Sequence, residues 1–235
     1  MADKYNIQRS RLHIAKVGTA TLRDVGNIES ASYSFDEQKI TKQSTNEVVG
    51  EIASKVISTS GTLTVTFGSL SFENFVLALR ARTSAQAAVT DGAFTFPVLA
   101  AGESFQLPHG NVSAVTIPGK VEGVDFKVLK TSGIVSALVD NASAIAGCSY
   151  ASGVMNAAGI AAAAAVEYSV IFTDELNGEE TRFYKWQPNL PQNINLVNIN
   201  EFGTLEVTGS LLLDTSRPAD GALGQYGYKR EALTA

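Results

Sequence analysis

Hydrophobic and hydroxylated residues alternate strictly over long stretches of this chain. Across Gly61–Phe67, Thr62, Thr64 and Thr66 alternate with Leu63, Val65 and Phe67. That period of two predicts a half-buried strand with one hydroxylated and one apolar face. Gly68-Ser69 breaks the run, and Ser71 stands where a helix N-cap belongs. Phe72, Phe75, Val76 and Leu79 follow at helical spacing. Glu73 suits the first turn, and Arg80 and Arg82 suit the last. Leu70 and Phe75 are placed for a hydrophobic staple. The pattern predicts a helix over 71–82 that covers the apolar face of its own strand.

The same period recurs elsewhere. In Ile28–Ile40, Ala31, Tyr33 and Phe35 alternate with Ser30, Ser32, Ser34 and Asp36. Lys39–Lys55 is polar and reads as a long hairpin loop before the return strand begins at Val56. Leu12–Val17 is a further strand, and Asp24–Asn27 a turn. Residues 83–165 change texture: short strands at Ala93–Val98, Ser113–Ile117, Val124–Leu129 and Ile134–Leu138 are joined by Ala- and Ser-rich stretches. Ala161–Ala165 has helical propensity but is very short. Residues 166–214 are again β-rich. Val166–Asp174 and Thr181–Trp186 flank Asn177-Gly178, a strong hairpin signal. Pro188 and Pro191 end the second of these strands. Ile194–Ile199 is a short strand. In Gly203–Asp214, Leu205, Val207, Leu211 and Leu213 oppose Thr204, Glu206, Thr208 and Ser210. Residues 215–235 read as a polar tail.

These elements predict a mainly β protein with one short flanking helix, organised as 1–82, an inserted layer 83–165, a closing part 166–214 and the tail. With 235 residues, 45% of them hydrophobic, the chain can bury a sizeable core. Its 17% charged residues are few for a soluble domain, which fits a surface partly used in contacts with other subunits. The net charge of −5 argues against tight wrapping of nucleic acid, which needs many cations to displace phosphate counterions. It leaves open a surface past which DNA slides. The single cysteine, Cys148, reads as a small hydrophobe and suits a reducing compartment. The N-terminal residues show no apolar core of a secretory signal, and the longest apolar run, Ile160–Val166, is far too short for a membrane span.

Candidate chemistry is sparse. Asp174, Glu175, Glu179 and Glu180 supply oxygens of the kind Ca²⁺ takes, but they flank a tight turn and lack the spacing of a cage. His13 and His109 sit in no ligand spacing with each other or with Cys148. Gly119-Lys120 lacks the rest of a phosphate loop, and no Gly-x-Ser-x-Gly elbow occurs. A carboxylate pair such as Glu29 and Glu206 is the arrangement a glycosidase needs. Tyr184 and Trp186 are a candidate sugar-stacking platform, with packing as the plainer reading. No catalytic residue, metal or cofactor is expected, and the chain is not expected to be an enzyme.

Three blocks resemble one family. They are LRDVGN (Leu22–Asn27) leading into the long strand, SFENFVLALR (Ser71–Arg80), and FYKWQPNLPQNINLVNINEFGTLEVTGSLLLD (Phe183–Asp214). Together with Gly123–Tyr150, in the same order, they are similar to the tail tube proteins of long-tailed bacteriophages. The resemblance implies a β-sandwich or half-barrel subunit whose sheets continue from copy to copy in a hexameric ring. Rings stack into a virion tail tube, made in the host cytoplasm, through which the genome is delivered. It implies a tape-measure protein and terminator and baseplate proteins as partners, with double-stranded DNA passing without specific binding and with no membrane. On this reading Thr62, Thr64, Thr66, Glu206, Thr208 and Ser210 are candidates for the lumen. Lys42, Ser44, Asn46, Glu47 and Glu51 are candidates for contact with the next ring. A carbohydrate-binding or hydrolytic β-sandwich is the alternative. An outer-membrane barrel is disfavoured by the N-terminus and by the few aromatic residues.

Overall fold

The computed structural model describes residues 10–44, 50–174, 178–192, 194 and 203–231. The chain divides into two compact units, Met1–Arg82 with Ile160–Ala235, and Thr83–Gly159. In chain order the elements are β1 (Ser10–Lys16), β2 (Arg23–Asp24), β3 (Ile28–Ser44), β4 (Gly50–Phe67) and α1 (Phe72–Ala78). The second unit carries β5 (Arg82–Gln86), β6 (Val89–Phe96), β7 (Ser104–Gln106), β8 (Val112–Thr116), β9 (Phe126–Leu129), β10 (Ile134–Ala137), β11 (Ile145–Ser152) and β12 (Met155–Gly159). The chain then returns to the first unit as β13 (Tyr168–Asp174), β14 (Glu179–Pro188), β15 (Leu205–Leu211) and β16 (Gly227–Glu231). The protein is mainly β, with several antiparallel sheets and one described helix.

The first unit is one sheet in the order β2-β1-β13-β14-β15-β4-β3, with β16 also paired to β14. Its apolar residues obey the period of two. Leu63, Val65 and Phe67 on β4 and Leu205, Val207 and Leu211 on β15 are all buried, with Leu12, Val170, Phe183 and Trp186 from the strands beyond. Burying each such side chain is worth roughly 1.5–3 kcal/mol, so this face holds the unit together. Leu77 and Ala78 of α1 close over it.

The helix is shorter than its sequence pattern predicts, and it buries a different face. Ser71 caps it, its Oγ accepting the Asn74 N–H at 3.2 Å. It ends at Ala78 because Arg80 takes a left-handed conformation (φ +45). The Ala81 N–H then bonds the Val76 carbonyl and the Arg80 N–H the Leu77 carbonyl, which is the Schellman arrangement. Arg80 and Arg82 therefore lie outside the last turn. The buried helical residues are Asn74, Leu77 and Ala78, while Phe72 is exposed. Leu70 is also exposed, so the expected staple with Phe75 does not enclose it.

Other expectations are revised as well. The polar Lys39–Lys55 stretch is mostly strand, because β3 and β4 stay paired out to Ser44 and Gly50. Backbone pairing satisfies this segment whatever its side chains, and a two-strand ribbon has no buried face to demand apolar ones. Pro188 does end β14, still paired with Gly209 as its last residue. Ala161–Ala165 is not helical, and Leu213 is exposed. The polar tail contains β16, paired with β14 from Glu179 to Phe183. Ile194 is not in a strand, and Ile199 with the rest of that expected strand lies outside the described residues.

The second unit has two three-stranded sheets, β7-β10-β9 and β6-β11-β8, and the pair β12-β5. It has its own core, including Phe96, Phe126, Val135, Cys148 and Tyr150. Cys148 is buried there, as a small hydrophobe would be.

Candidate functional site

Cross-strand register places the candidate lumen residues on one face of the sheet. β15 pairs with β4 so that Glu206 lies opposite Thr66, Thr208 opposite Thr64 and Ser210 opposite Thr62. β4 pairs with β3 so that Ser30, Ser32 and Ser34 lie opposite the same three threonines. The result is three parallel rows: Ser30–Thr66–Glu206, Ser32–Thr64–Thr208 and Ser34–Thr62–Ser210. Neighbouring strands stand about 4.8 Å apart. Gln187 of β14 lies opposite Ser210 and extends the last row.

The rows are partly self-satisfied. Ser30 Oγ donates to Thr66 Oγ1 at 3.0 Å, and the Thr64 and Thr208 hydroxyls share a hydrogen bond of 3.0 Å. Thr62 and Glu206 are exposed, and Thr64, Thr66, Thr208 and Ser210 are half-buried. None of the ten positions is Lys or Arg, and the single charge is the Glu206 carboxylate. Such a surface offers water and polar solutes short, stiff hydroxyl contacts but no cation for a phosphate. Ser30, Ser32 and Ser34 belong to this face although they were not among the sequence candidates. Their alternation along β3 was visible, but which strand they lie beside is set by pairing with a segment thirty residues away in the chain, roughly the reach of this long hairpin. Gln187 carried no such signal.

Of the candidates for contact with the next ring, Lys42 is exposed on β3. Ser44 is the last residue of β3, and Glu51 is the second residue of β4. Asn46 and Glu47 lie outside the described residues.

The acidic turn is occupied by its own neighbours. Glu179 pairs with Lys229 at 2.8 Å, and Glu180 accepts from Tyr228 at 2.8 Å and Arg230 at 2.6 Å. Burial pushes the Glu180 carboxyl up, but these hydrogen bonds and the charges of Arg230 and Arg182 outweigh it and hold it below the ordinary carboxylate range. Asp174 is buried, and Glu175 lies outside the described residues. Among the described residues no group of three or more His, Cys, Asp or Glu side chains is arranged to hold a metal ion. His13 lies on β1, and His109 is hydrogen-bonded to Tyr150 at 2.6 Å in the second unit.

Trp186 is fully buried and Tyr184 is 5% exposed. Arg217 lies over the Tyr184 ring, 3.6 Å from its centroid. Packing accounts for both rings, and neither presents an open face to a sugar.

Fold and site together define a mainly β, sheet-forming protein with a hydroxyl-lined face. Residues 8–230 match the family described as Protein of unknown function UCP028589, and the chain belongs to that family. No curated protein matches it. Among the described residues no helix is long and apolar enough to cross a membrane.

Proposed function

We propose that this chain is the structural subunit of a phage-type tail tube, a non-enzymatic protein that forms stacked hexameric rings around a bore for the genome. In this reading the first unit is a half-barrel wall continued between subunits, and the virion tail is its location. A tape-measure protein and terminator and baseplate proteins are its partners. One observation carries the reading: the cross-strand alignment of Thr62, Thr64, Thr66, Glu206, Thr208 and Ser210 with Ser30, Ser32 and Ser34 on one face, with no Lys or Arg at any of these positions. A polyanion meeting those positions finds hydroxyls and one carboxylate, and no guanidinium or ammonium among them to hold it. The apolar face of the same strands supplies the wall's core.

Electron microscopy of the purified protein tests the assembly directly. Hollow rods or stacked rings are expected, and a strict monomer at high concentration rules the reading out. Glu206→Lys tests the bore: it adds a cation to the face in every copy, so DNA passage through assembled tails slows. An unaltered ejection rate removes the lumen assignment.

A further inference from the structure

We propose that Tyr226 clamps the base of the outer β3–β4 ribbon, residues 38–44 and 50–58, and so sets the direction of an arm that pivots at Ile57. The clamp would act whether or not the chain builds a tube. Backbone alternation shows why it sits where it does. The Asn189 N–H donates to the Thr208 carbonyl and the Leu212 N–H to the Lys185 carbonyl, so Thr208 and its alternates on β15 are bonded to β14. The intervening residues, Val207, Gly209 and Leu211, are therefore bonded to Val65, Leu63 and Gly61 on β4. By the same alternation the backbone groups of Thr59 also point to the β15 side of β4, but the pairing of β15 ends at Leu211 and Gly61. The Thr59 carbonyl is thus the first acceptor on that side beyond the end of β15. The Tyr226 hydroxyl donates to it. One side chain of the C-terminal segment takes over where the neighbouring strand stops.

Tyr226 is itself fixed to the body of the sheet. The Tyr184 N–H on β14 donates to its carbonyl at 3.0 Å, and β16 pairs with β14 from the next residue onward. Its ring meets Phe35 edge-on, with centroids 5.1 Å apart. Phe35 lies over Gly61, its cross-strand partner, where an added Cβ would come within 2.7 Å of the Phe35 ring. Just beyond this contact the ladder slips. Gln38 pairs with Ser58 but Lys39 with Val56, so Ile57 has no cross-strand partner. A bulge of this kind bends and twists the strand that carries it. From there outward β4 is paired with β3 alone among the described strands. Ile40, Val56 and Ile57 are exposed, and the Ser58–Gln38 and Lys39–Glu37 side-chain contacts stay within the ribbon and its base. A two-stranded ribbon is marginal by itself, so its direction is set at its base, and the Tyr226–Thr59 bond lies two residues from the bulge.

Tyr226→Phe tests the clamp, because it keeps the ring against Phe35 and removes only the hydroxyl. Nitroxide labels at Lys42→Cys on the arm and Glu206→Cys on the body of the sheet report the arm's direction as a distance distribution in the dispersed full-length chain. A second pair, Lys16→Cys and Glu206→Cys, reports the body alone. The native Cys148 is buried and stays unlabelled. We expect a single narrow distribution for the arm pair when Tyr226 is present, a broader or displaced one in Tyr226→Phe, and no change in the body pair. Arm-pair distributions that coincide with and without the hydroxyl overturn the inference, as does a distribution already broad with Tyr226 in place. A change of the same size in both pairs also overturns it, since the hydroxyl would then support the whole sheet and not the arm. Ring assembly is tested separately by electron microscopy, so the clamp can fail while the tube reading stands, and the reverse.

Discussion

Arg23 Nη1 donates to Asn74 Oδ1 at 2.8 Å, tying the two-residue strand β2 to the buried face of α1. Asn74 is fully buried, and its Nδ2 donates onward to the carbonyls of Val25 (2.9 Å) and Ser69 (2.8 Å). One side chain thus satisfies the turn before β3, the turn after β4 and the guanidinium of Arg23. Asn74→Ala leaves these partners unsatisfied, at about 1–3 kcal/mol for each buried group. Asn74→Asp keeps the acceptor for Arg23 but cannot donate, so it should not restore stability. Urea unfolding of the two variants beside wild type checks this, and equal stability of Asn74→Asp and wild type would contradict it.

Arg80 holds a left-handed backbone position that glycine adopts without strain, yet its Nε and Nη2 both donate to the Pro188 carbonyl, at 3.1 and 2.6 Å. Arg80→Gly relieves the backbone and loses the anchor, whereas Arg80→Ala loses the anchor and keeps the strain. Arg80→Ala should therefore be the less stable of the two, by about 1 kcal/mol. Thermal melts of the pair decide the order.

Gly209 leaves no room for a side chain. An added Cβ would sit 2.3 Å from Trp186 Nε1 and 2.5 Å from the Gln187 carbonyl oxygen. Because both neighbours are held inside the sheet, Gly209→Ala forces β14 and β15 apart and should cost about 3 kcal/mol or more. A melting temperature close to wild type would show that the sheet yields at this point.

The two units have separate cores, so damage to one should leave the other standing. Phe126→Ala removes a buried ring from the second unit and should destabilise it by about 3–5 kcal/mol. Leu63→Ala should take about 2–5 kcal/mol from the first. Calorimetry of the full chain should show each variant lowering a different transition, and assembly should survive Phe126→Ala. One transition shifted equally by both variants would mean that the units unfold together.

The β14–β16 pairing should weaken at both extremes of pH. Glu180 has its folded-state pKa lowered, so its contribution is present above the ordinary carboxylate value, about 4, and is lost as pH falls through the folded value. Asp214 behaves in the same sense, held low chiefly by the Ser216 hydroxyl, with Lys185 and Arg217 adding to it. Lys229 is raised, first by its hydrogen bond to Glu179, so its contribution is present below the ordinary lysine value and is lost as pH rises through the folded one. Hydrogen exchange in β16 as a function of pH should show protection falling on both sides. Arg230→Ala should reduce the loss on the acid side and leave the alkaline side unchanged.

Alternation along Gly61–Phe67 and Gly203–Asp214 was legible because the direction of a side chain on a strand depends only on position along that strand. The N-cap at Ser71 was legible for the same reason: its hydroxyl reaches its own first turn. The length of the helix was not, because Arg80 adopts its unusual backbone only where the Pro188 carbonyl, far along the chain, receives it. Polar composition concealed the outer part of the β3–β4 ribbon and β16, since backbone pairing there proceeds with little burial of side chains.

By itself, then, the amino-acid order determined which residues share a face, that the protein is built from strands, and that one of those faces is rich in hydroxyls. Tertiary structure alone decided that three such faces, from β3, β4 and β15, lie side by side, that β2 pairs with β1 at one end of the sheet, and that β3 is the terminal strand at the other. The physical reason is range. Side-chain alternation is a local property of the backbone, whereas register and strand order come from hydrogen bonds and packing between segments that the chain brings together only on folding.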